Sequence, residues 1–246
     1  MEITTERANV TVDTQTMGAY LARPSAPGTY PAVLVFMEIF GVNSHIREVT
    51  ERVAAEGYVA LAPDFFHRTG PGVEYGYDET GITEGIKLLN QLQADEMVAD
   101  ARASLSFLKR KNYVGGDRFG AIGFCVGGHM TYLTACETEV KAAASFYGGG
   151  IAGPQGFGGG PSTLSRTGKI GGRIVCLFGE KDAAIPLDQV DAIRAELNTH
   201  NIAHEVVVYP GAEHGFFCDQ RGSYNQAAAD DAWQRVTTLF AAELAG

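Results

Sequence analysis

Two kinds of apolar pattern alternate along the chain. Short, nearly continuous apolar runs occupy Ala32–Phe36, Tyr58–Ala62, Phe119–Phe124, Lys141–Tyr147, Arg173–Phe178 and His204–Tyr209. Runs of this length, rich in Val, Ile and Phe, predict strands covered on both faces of a parallel sheet. Between them the apolar positions recur at helical spacing. Asn43 or Ser44 can cap a helix running to about Glu56, with Gly57 just past its end. Helical periodicity resumes near Thr83, is strongest from Ala94 to Lys111, and returns after Cys125, over Leu187–His200 and over Tyr224–Leu244. The beginning differs. Ala8–Val12 and Met17–Arg23 alternate apolar with polar, which predicts an antiparallel pair turning at Asp13 and Thr14, followed by a loop over Pro24–Pro31. The whole predicts an α/β chain: a mostly parallel central sheet with antiparallel N-terminal strands, helices on both faces, and one domain over residues 1–246.

Two segments break the pattern. Residues 64–83 are rich in Gly and Tyr and read as a long loop, a length usually kept for function or motion. Gly148–Gly172 is glycine-rich and polar, lacks the phosphate-loop pattern, and reads as a floppy surface connection.

Composition narrows the class. The 246 residues are 45% hydrophobic, enough for one mid-sized core, and the net charge of −10 with no Lys/Arg cluster argues against a nucleic-acid or anionic-membrane partner. The first residues, Met1–Glu6, lack a basic start followed by an apolar run, and no apolar run is long enough to span a bilayer. Cys125, Cys136, Cys176 and Cys218 have no metal-ligand spacing and read as reduced thiols of a cytoplasmic protein. No metal or other cofactor is expected. The expected partner is a small molecule, acted on by a monomer or small homo-oligomer.

The chemistry sits where predicted strands end, as ligand sites do in parallel sheets. Cys125 follows Phe119–Phe124, between Gly123 and Gly127, in the G-x-nucleophile-x-G pattern with cysteine in place of serine. The glycines let the chain turn sharply from strand to helix, and that turn aims the first helical N–H groups at the ligand. Glu38 follows Ala32–Phe36, Asp182 follows Arg173–Phe178, and His214 follows His204–Tyr209. The order nucleophile, acid, histidine is that of a hydrolase triad. Glu180 and Glu213 are rival carboxylates, and His129, one helical turn beyond Cys125, is the strongest rival base.

Glu38-Ile-Phe-Gly-Val-Asn43, Gly57-Tyr-Val-Ala60 with Pro63-Asp64, Gly123-Phe-Cys-Val-Gly-Gly128, Phe146-Tyr-Gly148, Gly179-Glu-Lys-Asp182 and Gly211-Ala-Glu-His-Gly-Phe216 run across almost the whole chain. Together they resemble the dienelactone hydrolase family. The resemblance implies the α/β-hydrolase fold, a triad of Cys125, His214 and Asp182, and Glu38 as a fourth functional carboxylate. It also implies that Glu38 keeps the resting thiol protonated and takes its proton when substrate displaces it. His214 would then be the base and Asp182 its orienting partner. The N–H groups of Val126 and Ile39 would hold the oxyanion. Such a site hydrolyses an enol lactone or an activated ester through a thioester, because a thiolate leaves a tetrahedral intermediate more readily than an amine does.

The two arginines that hold the substrate carboxylate in well-known family members have no counterpart. Tyr77–Ile82 contains no arginine, and Cys218 stands four residues after His214. Arg221 is the nearest substitute and Arg68 a weaker one. Tyr75, Tyr77, Phe65, Phe66, Phe216 and Phe217 are candidates to line an apolar pocket. Two other functions share the fold: a non-catalytic ligand receptor, and a redox sensor pairing Cys125 with Cys218.

Overall fold

A computed structural model describes residues 1–245. Its centre is an eight-stranded sheet in the order β1-β2-β4-β3-β5-β6-β7-β8. The strands are β1 (Ile3–Val12), β2 (Gln15–Pro24), β3 (Tyr30–Phe36), β4 (Val59–Pro63), β5 (Val114–Phe124), β6 (Ala142–Phe146), β7 (Arg173–Gly179) and β8 (His204–Tyr209). The β1–β2 and β2–β4 pairs are antiparallel, and every other neighbouring pair is parallel. The apolar runs explain the order. Ala32–Phe36, β4 and β6 are buried throughout, as central parallel strands must be, whereas β1 is largely exposed along one edge.

Helices cover both faces. They are α1 (Ser44–Ala55), α2 (Glu79–Leu89), α3 (Ala94–Lys109), α4 (Val126–Glu137), α5 (Leu187–Thr199) and α6 (Gln226–Leu244). Arg52 of α1 lies over the Trp233 ring of α6, 4.0 Å from its centroid, so these two share a face. The helices α3 and α4 pack together on the other. Asn43 is the cap of α1, its side-chain oxygen accepting from the Ile46 N–H at 3.2 Å.

Three sequence expectations change. The long loop ends at Asp78 rather than Thr83: its carboxylate accepts from the Gly81 N–H at 2.7 Å and starts α2. The helix was hidden because its body-facing positions include Gly81 and Gly85, which contribute no apolar signal. The remaining loop is fastened through Asp64, which accepts from the N–H groups of Phe66 and Gly72, and through Arg68, which bridges to Asp100 of α3 at 2.7 and 2.8 Å. Second, Gly148–Gly172 is not a floppy connection. Ile151, Thr163, Thr167 and Ile170 are buried, the Tyr132 hydroxyl is 2.6 Å from Thr167 Oγ1, and Glu137 holds both Arg166 and Lys169 at 2.9 Å. A few buried anchors order a segment whose composition reads as loose. Third, the strand before Cys125 begins at Val114, five residues early, with Tyr30 pairing to Val114 across a register shift.

The register brings the site together. Phe36 pairs with Gly123, Phe124 with Phe146, and Gly179 with Tyr209, so the carboxyl ends of β3, β5, β7 and β8 lie along one edge of the sheet. Glu38, Cys125, Asp182 and His214 all follow those ends.

Candidate active site

Cys125 stands at the apex between β5 and α4 with φ 57° and ψ −119°, a conformation that costs a non-glycine residue of order 1–3 kcal/mol. The turn is this tight because its neighbours carry no side chain. A Cβ on Gly123 would lie 2.2 Å from the Gly127 carbonyl oxygen, and one on Gly127 would lie 2.3 Å from that of Phe36. The Cys125 N–H donates to the Phe146 carbonyl at 3.1 Å, which ties the apex to β6.

His214 is beside it. Its Nδ1 is 2.7 Å from Asp182 Oδ2, and the other Asp182 oxygen accepts from the Ala184 N–H at 2.9 Å. His214 and Cys125 line the same cavity, and the Cys125 sulfur lies close enough to bear on the protonation of the ring. Burial pulls the imidazolium down. The Cys125 thiolate charge, the bonds to Asp182 and Cys125, and the Asp182 charge more than reverse this, raising it to about 10. The Tyr147 ring packs edge-on against His214, with centroids 5.1 Å apart, and limits its rotation. Tyr147 has a φ of 37° and sits one residue past β6, within the Phe146-Tyr-Gly148 segment.

The rivals fall away. His129 Nδ1 is 2.9 Å from the Gly149 carbonyl and its Nε2 is 2.7 Å from Thr163 Oγ1. Burial pulls it down to about 4, so it is neutral and both nitrogens are engaged. Glu180 accepts from the Gly211 N–H, and Glu213 is exposed. The backbone N–H groups of Ile39 and Val126 make no hydrogen bond among the described residues, and both residues line the same cavity as Cys125. They are two free donors beside the sulfur.

Glu38 is fully buried, and its partner here is Arg221, whose Nη1 donates to Oε1 at 3.0 Å. No hydrogen bond joins Glu38 to Cys125 among the described residues. Arg221 reaches it across Gly215, where a Cβ would sit 2.5 Å from the guanidinium. The Tyr77 and Phe40 rings flank the same guanidinium, with centroids 5.5 and 5.6 Å away. Tyr77 lies at the site, accepting from Asn43 Nδ2 at 3.1 Å. Phe216 does not line the cavity: it is fully buried among Phe146, Tyr147 and Tyr209. Phe65, Phe66 and Phe217 are likewise core. Arg68 belongs to Asp100.

One cluster was invisible in the sequence. Glu38, His45 and Cys218, all buried, bring one ligand atom each within 4.8 Å of one another. Glu38 Oε2 and His45 Nε2 have no hydrogen-bond partner among the described residues. These three are the residues placed to hold a cation, but a guanidinium 3.0 Å from the same carboxylate opposes one there. Burial, then the Glu38 charge, pushes the Cys218 thiol up to about 12, which makes it a poor resolving thiol for a redox pair with Cys125.

A strained cysteine on a strand–turn–helix apex, a His–Asp pair and free N–H groups at the carboxyl edge of a mostly parallel sheet define an α/β-hydrolase. The comparisons give the family. The model of the "Dienelactone hydrolase family" matches residues 17–244. A Synechocystis sp. protein named "Putative carboxymethylenebutenolidase" is 47% identical over 237 residues, 96% of each chain. A protein of the same name from Escherichia coli K12 is 36% identical over 228 residues, 91% of this chain and 82% of that one. The crystal structure called "Putative Dienelactone Hydrolase" from Klebsiella pneumoniae superposes with a TM-score of 0.89 at 34% identity, over 98% of this chain and 99% of that one. The chain belongs to the dienelactone hydrolase family and is a carboxylic ester hydrolase. No helix among the described residues is long and apolar enough to cross a membrane.

Proposed function

We propose that the chain hydrolyses an enol lactone or an activated carboxylic ester through a thioester on Cys125. The carrying observation is the convergence of three groups: the strained Cys125, the His214 ring lining the same cavity, and Asp182 at 2.7 Å from the ring Nδ1. The sulfur attacks the ester carbonyl, and the oxyanion is received by the N–H groups of Ile39 and Val126. The C–O bond breaks, and His214 gives its proton to the leaving oxygen. Water, deprotonated by His214, then cleaves the thioester and releases the acid. Asp182 keeps the Nδ1 proton in place so that Nε2 faces the reacting atoms.

Glu38 sets the electrostatic balance of the thiol. Ionised and free, it opposes the thiolate. Neutralised by Arg221, as in the arrangement here, it leaves His214 to pair with the sulfur. A swing of Glu38 from Arg221 to Cys125 would quench the nucleophile and limit stray oxidation. The test is turnover of an enol lactone and of p-nitrophenyl acetate by the wild type and by Cys125→Ala. Loss of both activities in the variant is the expected result, and equal rates would overturn the assignment.

A further inference from the structure

The cavity in front of Cys125 holds about 880 Å³. One wall is α2, where Ile82, Ile86 and Leu89 recur at helical spacing and face the opening rather than the core. Ile82 and Ile86 are 39% and 43% exposed, two of the few large apolar side chains left uncovered in the described residues. Such a stripe beside a nucleophile is a ligand surface rather than scattered surface apolarity. The helix comes this close because of Gly85: a Cβ there would lie 2.5 Å from the Ile39 carbonyl oxygen. The stripe is therefore mounted on the residue whose N–H faces the oxyanion. Phe157, packed on the neutral His129 ring at 4.3 Å, supplies the opposite wall.

Away from His214 this cavity offers little charge. The one guanidinium or ammonium among its lining residues is Arg221, and that group is already bound to the buried Glu38. Arg221 also borders the polar cleft beyond His214, which the α2 residues do not, so a carboxylate carried along the α2 stripe would be buried against apolar side chains. Beyond His214 lies a second cleft of about 680 Å³, lined by Lys181, Glu213, Gln220 and Ser223. The leaving oxygen takes its proton from His214, so the leaving group lies on that polar side. The acyl group lies on the other side, along Val126, Ile39 and α2.

We propose that the acyl group accepted here is neutral and apolar, an aliphatic or aryl-alkyl chain of several carbons, rather than a chain that ends in a carboxylate. This specificity rests on the Cys125 thioester reading and refines it. The chemistry is unchanged: the sulfur–carbonyl bond forms as the ester C–O bond breaks, and the proton passes from His214 to the leaving alcohol.

The test compares p-nitrophenyl acetate, butyrate and hexanoate with the mono-p-nitrophenyl ester of adipic acid, which ends the same chain in a carboxylate. Each added methylene that is buried is expected to raise kcat/KM by up to about fourfold. The expected results are a hexanoate value at least about tenfold above acetate, and an adipate value at least about tenfold below hexanoate. A flat series, or an adipate ester that matches or exceeds hexanoate, would overturn the proposal. Ile86→Asp is expected to lower the hexanoate-to-acetate ratio by about tenfold, with its thermal melt recorded to exclude misfolding. A folded variant with an unchanged ratio would count against the α2 surface. Cys125→Ala separates the two levels. Acetate turnover lost in Cys125→Ala together with a flat chain-length series removes the specificity alone. Turnover that survives Cys125→Ala removes the thioester reading itself.

Discussion

Gly127→Ala is the substitution that bears most directly on how the fold makes the site. Gly127 lies in the first turn of α4, directly over the end of β3. A methyl group there would stand 2.3 Å from the Phe36 carbonyl oxygen and 2.5 Å from that of Met37. Ordinary contact begins at about 3.4 Å, so strand and helix must separate by roughly 1 Å. Both neighbours are backbone, so no side chain can swing away. Alanine gains up to about 1 kcal/mol of helix propensity over glycine, less in a first turn. Overpacking of this kind costs about 1–3 kcal/mol, so the clash wins. The net loss, up to about 2 kcal/mol, lowers Tm by several degrees in a chain of this size. The larger effect is on catalysis. Ile39 follows Phe36 and Met37, and Val126 precedes Gly127, so the shift separates the two N–H groups proposed to receive the oxyanion. A displacement of about 1 Å at such a site is expected to lower kcat/KM about 100-fold. Thermal melting and turnover of p-nitrophenyl acetate measure both. A variant with lowered Tm and unchanged kcat/KM would refute the link between the β3–α4 approach and the oxyanion donors.

Three further outcomes are expected. Arg221→Met removes the only ion-pair partner of the fully buried Glu38 among the described residues and should cost about 3 kcal/mol in urea unfolding; a loss within about 0.5 kcal/mol, the range of ordinary surface substitutions, would contradict the pairing. Alkylating Cys125 with iodoacetamide removes the thiolate that holds the imidazolium, leaving burial to pull His214 down against Asp182 alone. Its titration, followed by NMR, should therefore fall from about 10, and an unmoved value would mean that the sulfur does not hold it. Arg166 and Lys169 are both anchored by Glu137, so trypsin should cut after them no faster than the protein unfolds; rapid nicking under native conditions would show that the 148–172 segment is loose after all.

The placement of Glu38, Cys125, Asp182 and His214 was legible because each follows an apolar run, and such runs mark strands whatever their tertiary partners. Their convergence then follows from parallel pairing in register. What was not legible depends on contacts between distant residues. Glu38 and Arg221 are 183 positions apart, and nothing local in either segment marks the pair, so Arg221 read as a free substrate cation. Phe216 and Phe217 read as pocket aromatics because they lie in a loop, yet that loop folds inward onto Phe146 and Trp233. The helix α2 was foreshortened for a physical reason: glycines at its buried face and isoleucines at its open face invert the usual amphipathic pattern. The stretch 148–172 was misjudged because composition reports the many glycines and not the four buried anchors at Ile151, Thr163, Thr167 and Ile170.

The central claim is that Cys125 carries the acyl group. Rapid acid quench of the enzyme with p-nitrophenyl hexanoate, followed by peptide mass spectrometry, tests it in one step. The account predicts a hexanoyl mass increment on the peptide containing Cys125, removed by hydroxylamine at neutral pH as a thioester is. An unmodified Cys125 during turnover, or an acyl group on another residue, would contradict it.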